Sequence, residues 1–234
     1  MVPPRDDWLS TVWQTAPRLF ELAGNLEPTL HVDAATALDD RFLEAHAVAA
    51  LLWDVDGTLM SNHGSRIAPE FEPVLTRLRG RVPQAVLSNC GEDRFEQLAT
   101  IFRDIPVLKG YRLDASTRVF RCRRGADDKW ILGNGSARSL GPRPPGRLTP
   151  VRKPDAALID AAIDELQAAP RSAVFMVGDQ YFTDIAGANL AGIASVKVRT
   201  VHPESFPIAV RCLQQVERAL FRVLTLAKRG QTPR

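Results

Sequence analysis

The chain has 234 residues, 45% of them hydrophobic and 24% charged, with 30 Lys or Arg against 27 Asp or Glu and a net charge of +3. Those values fit one large globular domain, or one domain with a modest appendage; they exclude a mostly disordered chain, a collagen-like repeat and a disulfide miniprotein. No window approaches the length of apolar run that a transmembrane helix needs, and the three scattered cysteines (Cys90, Cys122, Cys212) and an N-terminus without the layout of a secretion signal point to a reducing cytoplasm.

Residues 8–23 carry Trp8, Leu9, Val12, Trp13, Ala16, Leu19, Phe20 and Ala23 at helical spacing, and Pro17 must kink or restart that helix. Val48–Trp53 is a continuous apolar run, the pattern of a strand buried on both faces. A helix is predicted over Pro69–Arg79, a second buried strand over Gln84–Leu87, a helix over Glu92–Phe102 and a short strand over Pro106–Leu108. Val119–Arg124 and Lys129–Leu132, separated by Gly-Ala-Asp-Asp, read as a hairpin. Gly133–Pro150, rich in Gly, Pro, Ser and Arg, reads as a mobile loop. Regular structure resumes with a helix at 155–168, a strand at Ala173–Val177, a helix at 181–191 and a strand at Ser195–Val198. Strands alternating with helices imply a parallel α/β sheet. A last helix sets Ala209, Cys212, Leu213, Val216, Ala219, Leu220, Val223, Leu224 and Ala227 on one apolar face. The two terminal helices either pack on the core or bind an anionic membrane surface.

The mild net charge hides an asymmetry. Residues 111–153 hold eleven Arg or Lys against three acids, a local charge of +8 that leaves −5 on the rest of the chain. Such a segment is either a solvated loop or a flap that meets an anionic substrate.

Ligands of parallel α/β sheets lie outside the carboxyl ends of the strands. The polar clusters fall there: Asp54-Val55-Asp56-Gly57-Thr58 after the first strand, Ser88-Asn89 after the second and Gly178-Asp179 after the later one, with Asp184 beyond it. Lys153 opens the helix before that later strand. Converging carboxylates repel one another and raise each other's pKa. A divalent cation resolves the conflict, and oxygen ligands favour Mg²⁺. A hydroxyl and an ammonium beside that metal suit a phosphoryl group, whose transfer depends on positioning and charge stabilisation, and an Asp carboxylate can be the nucleophile.

In order, Asp-Val-Asp-Gly-Thr, Ser-Asn, Arg-Lys-Pro-Asp and Gly-Asp-Gln-Tyr-Phe-Thr-Asp resemble the four motifs of the haloacid dehalogenase superfamily of phosphatases. The resemblance implies Asp54 as nucleophile and Asp56 as general acid/base. It implies that Ser88 and Lys153 hold the phosphate oxygens, with Thr58 and Asn89 beside them, and that Lys153 steadies Asp54. It also implies that Asp54, the backbone carbonyl of Asp56 and Asp179 bind Mg²⁺, with Asp184 completing the acidic cluster through water or through Lys153. The second Asp of the first motif separates the family's phosphatases from its dehalogenases. Glu27-Pro28-Thr29-Leu30-His31-Val32-Asp33 and Gly178–Asn189 further resemble a capless subfamily that includes phosphatidylglycerophosphate phosphatases.

The expected fold is thus a three-layer, Rossmann-like α/β sheet with helices on both faces, and a small basic insertion in place of a cap domain. The expected division is a helical extension at 1–47, a catalytic core at 48–110 and 151–203, the basic insertion at 111–150 and an amphipathic helix at 204–234. The expected function is Mg²⁺-dependent hydrolysis of a phosphomonoester through an aspartyl-phosphate, on a bulky or lipid phosphate such as phosphatidylglycerophosphate. A small soluble phosphomonoester, a nucleic-acid terminal phosphate and a non-catalytic phospholigand-binding or scaffold role are the alternatives.

Overall fold

The computed structural model describes residues 19–133 and 138–230. Helix α1 (Leu19–Ala23) leads to the two-residue strand β1 (Leu30–His31) and helix α2 (Asp40–Ala45). Next come β2 (Ala50–Trp53), α3 (Glu72–Leu78), β3 (Gln84–Leu87) and α4 (Glu92–Ile101). A run of strands follows: β4 (Val107–Arg112), β5 (Arg118–Arg124), β6 (Asp127–Leu132), β7 (Arg138–Gly141) and β8 (Thr149–Val151). The chain returns through α5 (Ala156–Leu166), β9 (Val174–Gly178), a π-turn (Tyr181–Ile185) continuous with α6 (Ala186–Leu190), β10 (Ala194–Lys197) and the long α7 (Ile208–Gly230).

The strands form one sheet in the order β1-β10-β9-β2-β3-β4-β5-β6-β7, with β8 paired to β4. Pairing is parallel from β1 across to β4 and antiparallel beyond it. Every residue of β2, β3, β9 and β10 is buried, because helices cover both faces. The period of two divides them cleanly. Leu51, Trp53, Val86, Phe175 and Val177 join α3 and α4 through Leu75, Leu78, Phe95 and Leu98. Ala50, Leu52, Ala85, Leu87, Val174 and Met176 meet α5 through Leu158, Ile159, Ala162 and Ile163. The mixed sheet with helices on both faces is the Rossmann-like α/β fold that the sequence predicts.

Several expectations need correction. Gly133–Pro150 is not simply a loop: Arg138–Leu132, Ser139–Ile131 and Gly141–Trp130 register β7 on β6 across a bulge, and Thr149–Val151 pair with Gly110–Arg112. The β8–β4 pairs join residues far apart in sequence, which local composition does not reveal, whereas β7 pairs with its sequence neighbour β6. The strand expected at Pro106–Leu108 runs on to Arg112, since its outer half has partners on both sides. The predicted helix 181–191 begins as a π-turn. Most of the helix predicted at 8–23, including Trp8, Trp13 and Pro17, lies outside the described residues.

Part of the charge of the insertion is spent inside the molecule, and Lys109 just before it is paired as well. Arg121 holds Asp128 through two hydrogen bonds (2.5 and 2.9 Å) and also reaches Glu96 at 2.8 Å. Arg123 pairs with Glu96, Lys129 with Glu165 at 2.8 Å, Arg118 with Asp155 at 3.3 Å and Lys109 with Glu92 at 2.9 Å. Except for Asp128, those acids lie on α4 or on α5 and its cap. The hairpin is therefore charge-matched to the helices it lies against. Exposed pairs contribute only about 0–1 kcal/mol each, whereas burying one large apolar side chain contributes about 1.5–3 kcal/mol. Apolar burial of Phe120, Cys122 and Ile131 thus holds the hairpin down, and the ion pairs set its register.

Helix α7 departs from its predicted face. The buried side carries Gln214 and Glu217, with Leu220, Phe221 and Leu224 packed against Leu22, Leu26, Tyr181, Phe182 and Ile185. Cys212, Val216, Ala219 and Val223, on the apolar face read from the sequence, are exposed. Glu217 accepts a hydrogen bond from the Tyr181 backbone N–H at 3.0 Å, and this contact turns the helix. Among the described residues no helix is long and apolar enough to cross a membrane.

Candidate active site

The carboxyl ends of β2, β3 and β9 converge with the start of α5, as parallel pairing requires. β2 delivers Asp54, β9 delivers Asp179, and the π-turn delivers Asp184. Carboxylate oxygens of these three buried residues all lie within 4.8 Å of one another. Lys153 reaches them from the segment after β8, with its Nζ 2.6 Å from Asp54 Oδ1 and 2.7 Å from Asp184 Oδ1. Its side chain is 1% exposed.

Two glycines make this closeness possible. A Cβ on Gly178 would stand 2.3 Å from Asp184 Oδ2, so only glycine lets the acidic turn fold back onto the strand end. Gly57 has φ of +90°, and a Cβ there would meet Asp179 Oδ2 at 2.9 Å. Asp184 is further fixed by the Gln180 N–H at 3.0 Å and the Thr183 hydroxyl at 3.3 Å.

The remaining predicted residues take distinct places. Thr58, fully buried, points its hydroxyl at Asp54 Oδ2 at 3.3 Å. Ser88 is buried just beyond the end of β3. Asn89 clasps the lysine segment, its amide donating to the Lys153 carbonyl at 2.9 Å and its oxygen accepting from the Lys153 N–H at 2.8 Å. Asp56 stands apart from the acidic trio. Its Oδ1 takes Arg94 at 2.5 Å and the His63 N–H at 3.0 Å.

Electrostatics follow from burial. Burial, helped by Asp184 and Asp179, pushes the Asp54 carboxyl well above its usual range even though Lys153 pulls the other way. Burial and Asp184 push Asp179 up to about 6. Burial works against the charge of Lys153, but Asp184 and Asp54 outweigh it and raise its pKa. One cation thus serves two carboxylates, and among the described residues Asp179 has none in contact.

The chemistry fits a divalent cation. Asp179 Oδ1 is buried and has no hydrogen-bond partner among the described residues, and the three carboxylates supply the hard oxygen donors Mg²⁺ prefers.

Three site neighbours escaped sequence reasoning. Arg94, buried on α4, fixes Asp56 and also donates to the Gly64 carbonyl and Gln97, each at 2.6 Å. Its position four before Leu98, on the face that buries, was the available signal. Gln214 reaches Asp179 Oδ2 at 3.5 Å, and Glu217 holds the π-turn, with burial pushing its carboxyl up to about 8. Both polar residues sit within an apolar helix repeat, where nothing local distinguishes them from solvent-facing positions.

A family model described as "HAD-hyrolase-like" matches residues 150–202, the stretch that carries Lys153, Asp179 and Asp184. This supports the resemblance to the haloacid dehalogenase superfamily and points to a hydrolase. No curated protein matches the sequence. One solved chain aligns over 80% of this chain and 100% of its own, with 13% identity and a TM-score of 0.42, too loose a likeness to carry an argument.

Proposed function

We propose that the protein is a Mg²⁺-dependent phosphomonoester hydrolase working through an aspartyl-phosphate on Asp54. The observation that carries this reading is the buried convergence of Asp54, Asp179 and Asp184 around Lys153 at the strand ends. In this reading an Asp54 oxygen attacks phosphorus as the bond to the leaving oxygen breaks, and Asp56 gives that oxygen its proton. Asp56 then takes a proton from the water that attacks the phosphorus and releases Asp54. Lys153 and Ser88 hold the phosphoryl oxygens, and Arg94 keeps Asp56 in place. Asp54, Asp179 and the Asp56 backbone carbonyl would hold Mg²⁺, which when bound neutralises the acidic cluster and the phosphoryl charge.

The test is hydrolysis of a generic chromogenic phosphate ester. Excess chelator is expected to abolish turnover and added Mg²⁺ to restore it. Ca²⁺ is expected to support little, because its larger and looser coordination shell misplaces nucleophile and phosphate. Full activity in excess chelator would sink the metal requirement, and absence of turnover with Mg²⁺ present would leave a phospholigand-binding role.

A further inference from the structure

A cavity of about 600 Å³ is walled by the insertion and by the start of α4. That volume is within the ordinary range of small-molecule sites, roughly 300–1,000 Å³. Its lining begins at Gly91, three residues after Ser88, and ends at Pro150, three residues before Lys153. An extended chain covers at most ~3.6 Å per residue, so each wall starts within about 11 Å of a residue assigned to the phosphate. A group attached to a phosphoryl held by Ser88 and Lys153 is therefore within reach of this cavity.

The lining defines what that group is. Lys109 is paired with Glu92 at 2.9 Å, the Tyr111 hydroxyl donates to Glu92, and Arg121 is held by Asp128. Among the described residues Arg143 is the one cation of the lining without a carboxylate partner. Two partly exposed carboxylates also line it, with 55% of the Glu92 side chain and 34% of that of Asp128 exposed. The Tyr111–Trp130 ring pair, centroids 5.2 Å apart, and Leu148 supply a limited apolar floor. A second anionic group would meet two carboxylates and one free guanidinium. An alkyl chain would strip water from paired charges without replacing it. A hydroxyl-rich group satisfies every wall, because each hydroxyl both donates, here to Glu92 or Asp128, and accepts, here from Arg143, while its C–H surface packs on the rings.

We infer that this cavity is the leaving-group subsite and that it takes an uncharged, hydroxyl-rich group, a sugar or polyol; the inference rests on the phosphomonoesterase reading above. The test measures kcat/KM of the full chain with Mg²⁺ on sugar and polyol monophosphates, an alkyl phosphate, a nucleoside monophosphate and phosphatidylglycerophosphate in vesicles. The same panel is run on Leu148→Trp, which fills the cavity, and on exposed Arg143→Ala, whose folding is not at stake. Sugar or polyol phosphates are expected to exceed the alkyl phosphate at least tenfold, and both variants to remove most of that advantage. An alkyl, nucleoside or lipid phosphate turned over as well or better would overturn the inference, as would an advantage intact in either variant. If no phosphomonoester is hydrolysed, the phosphatase reading has failed, and the cavity is judged by saturation-transfer NMR with unphosphorylated sugars and polyols. Signal lost in Leu148→Trp then supports the subsite, and no signal in the unaltered protein overturns it.

Discussion

Asp54→Asn is expected to lower phosphomonoester turnover by at least about 1000-fold while leaving the fold in place. The amide keeps the shape of the side chain and its contact with Thr58, but it loses the negative charge and the attacking oxygen. It also relieves rather than adds like-charge repulsion, because Asp54 shares its buried space with Asp179 and Asp184. Stability should therefore hold or rise slightly, and a thermal melt beside the assay separates lost chemistry from lost structure. Near-native turnover in a clean preparation would remove Asp54 from the mechanism.

The second large effect is expected at Lys153, and there both function and stability should fall. Lys153→Met keeps the length of the side chain and removes its charge. Asp54 and Asp184 are then left buried without the ammonium that stands 2.6 and 2.7 Å from them. Removing one partner of a buried ion pair typically costs about 3–5 kcal/mol, far more than an exposed pair would. Chemical denaturation without metal should show a loss of that order, together with turnover reduced by orders of magnitude. Added Mg²⁺ should recover part of the stability, since it offers the orphaned carboxylates another cation. A variant as stable as the parent would show that the lysine does not balance the acidic cluster.

Much of the candidate site is legible in the sequence because its residues cluster at strand ends. Val48–Trp53, Gln84–Leu87 and Ala173–Val177 are short apolar runs, and a sheet covered on both faces requires such runs. What each runs into is then placed in one crevice by parallel pairing alone. Asp54, Asp179, Asp184 and Lys153 were accessible in this way. Arg94 was not, although it is the residue that fixes Asp56, because its partner lies 38 positions away in sequence. The ion pairs of the insertion are hidden in the sequence for a related reason. Arg118, Arg121, Arg123 and Lys129 read as unpaired cations until Asp155, Glu96 and Glu165, distant in sequence, fold against them. The orientation of α7 was the other failure: apolar periodicity favoured a face with Val216 and Val223, but the hydrogen bond from Tyr181 to Glu217 and the packing of Phe221 on Tyr181 decide it. Apolar spacing gives the average burial of a helix, and the specific partners it meets, here Tyr181, Phe182 and Ile185, select which residues bury.

The most direct test of the proposed chemistry is to find the phosphoryl group on the protein. Turning over an aryl phosphate, whose leaving oxygen departs without a proton from Asp56, with the Asp56→Asn variant, which should form the acyl phosphate but hydrolyse it slowly, and quenching in acid allows the peptides to be mapped by mass spectrometry. The account predicts a phosphoryl adduct on Asp54, sensitive to hydroxylamine and absent when Mg²⁺ is chelated. An adduct on Ser88 or another residue, or turnover by the unaltered protein with no trappable adduct on Asp54, would contradict it.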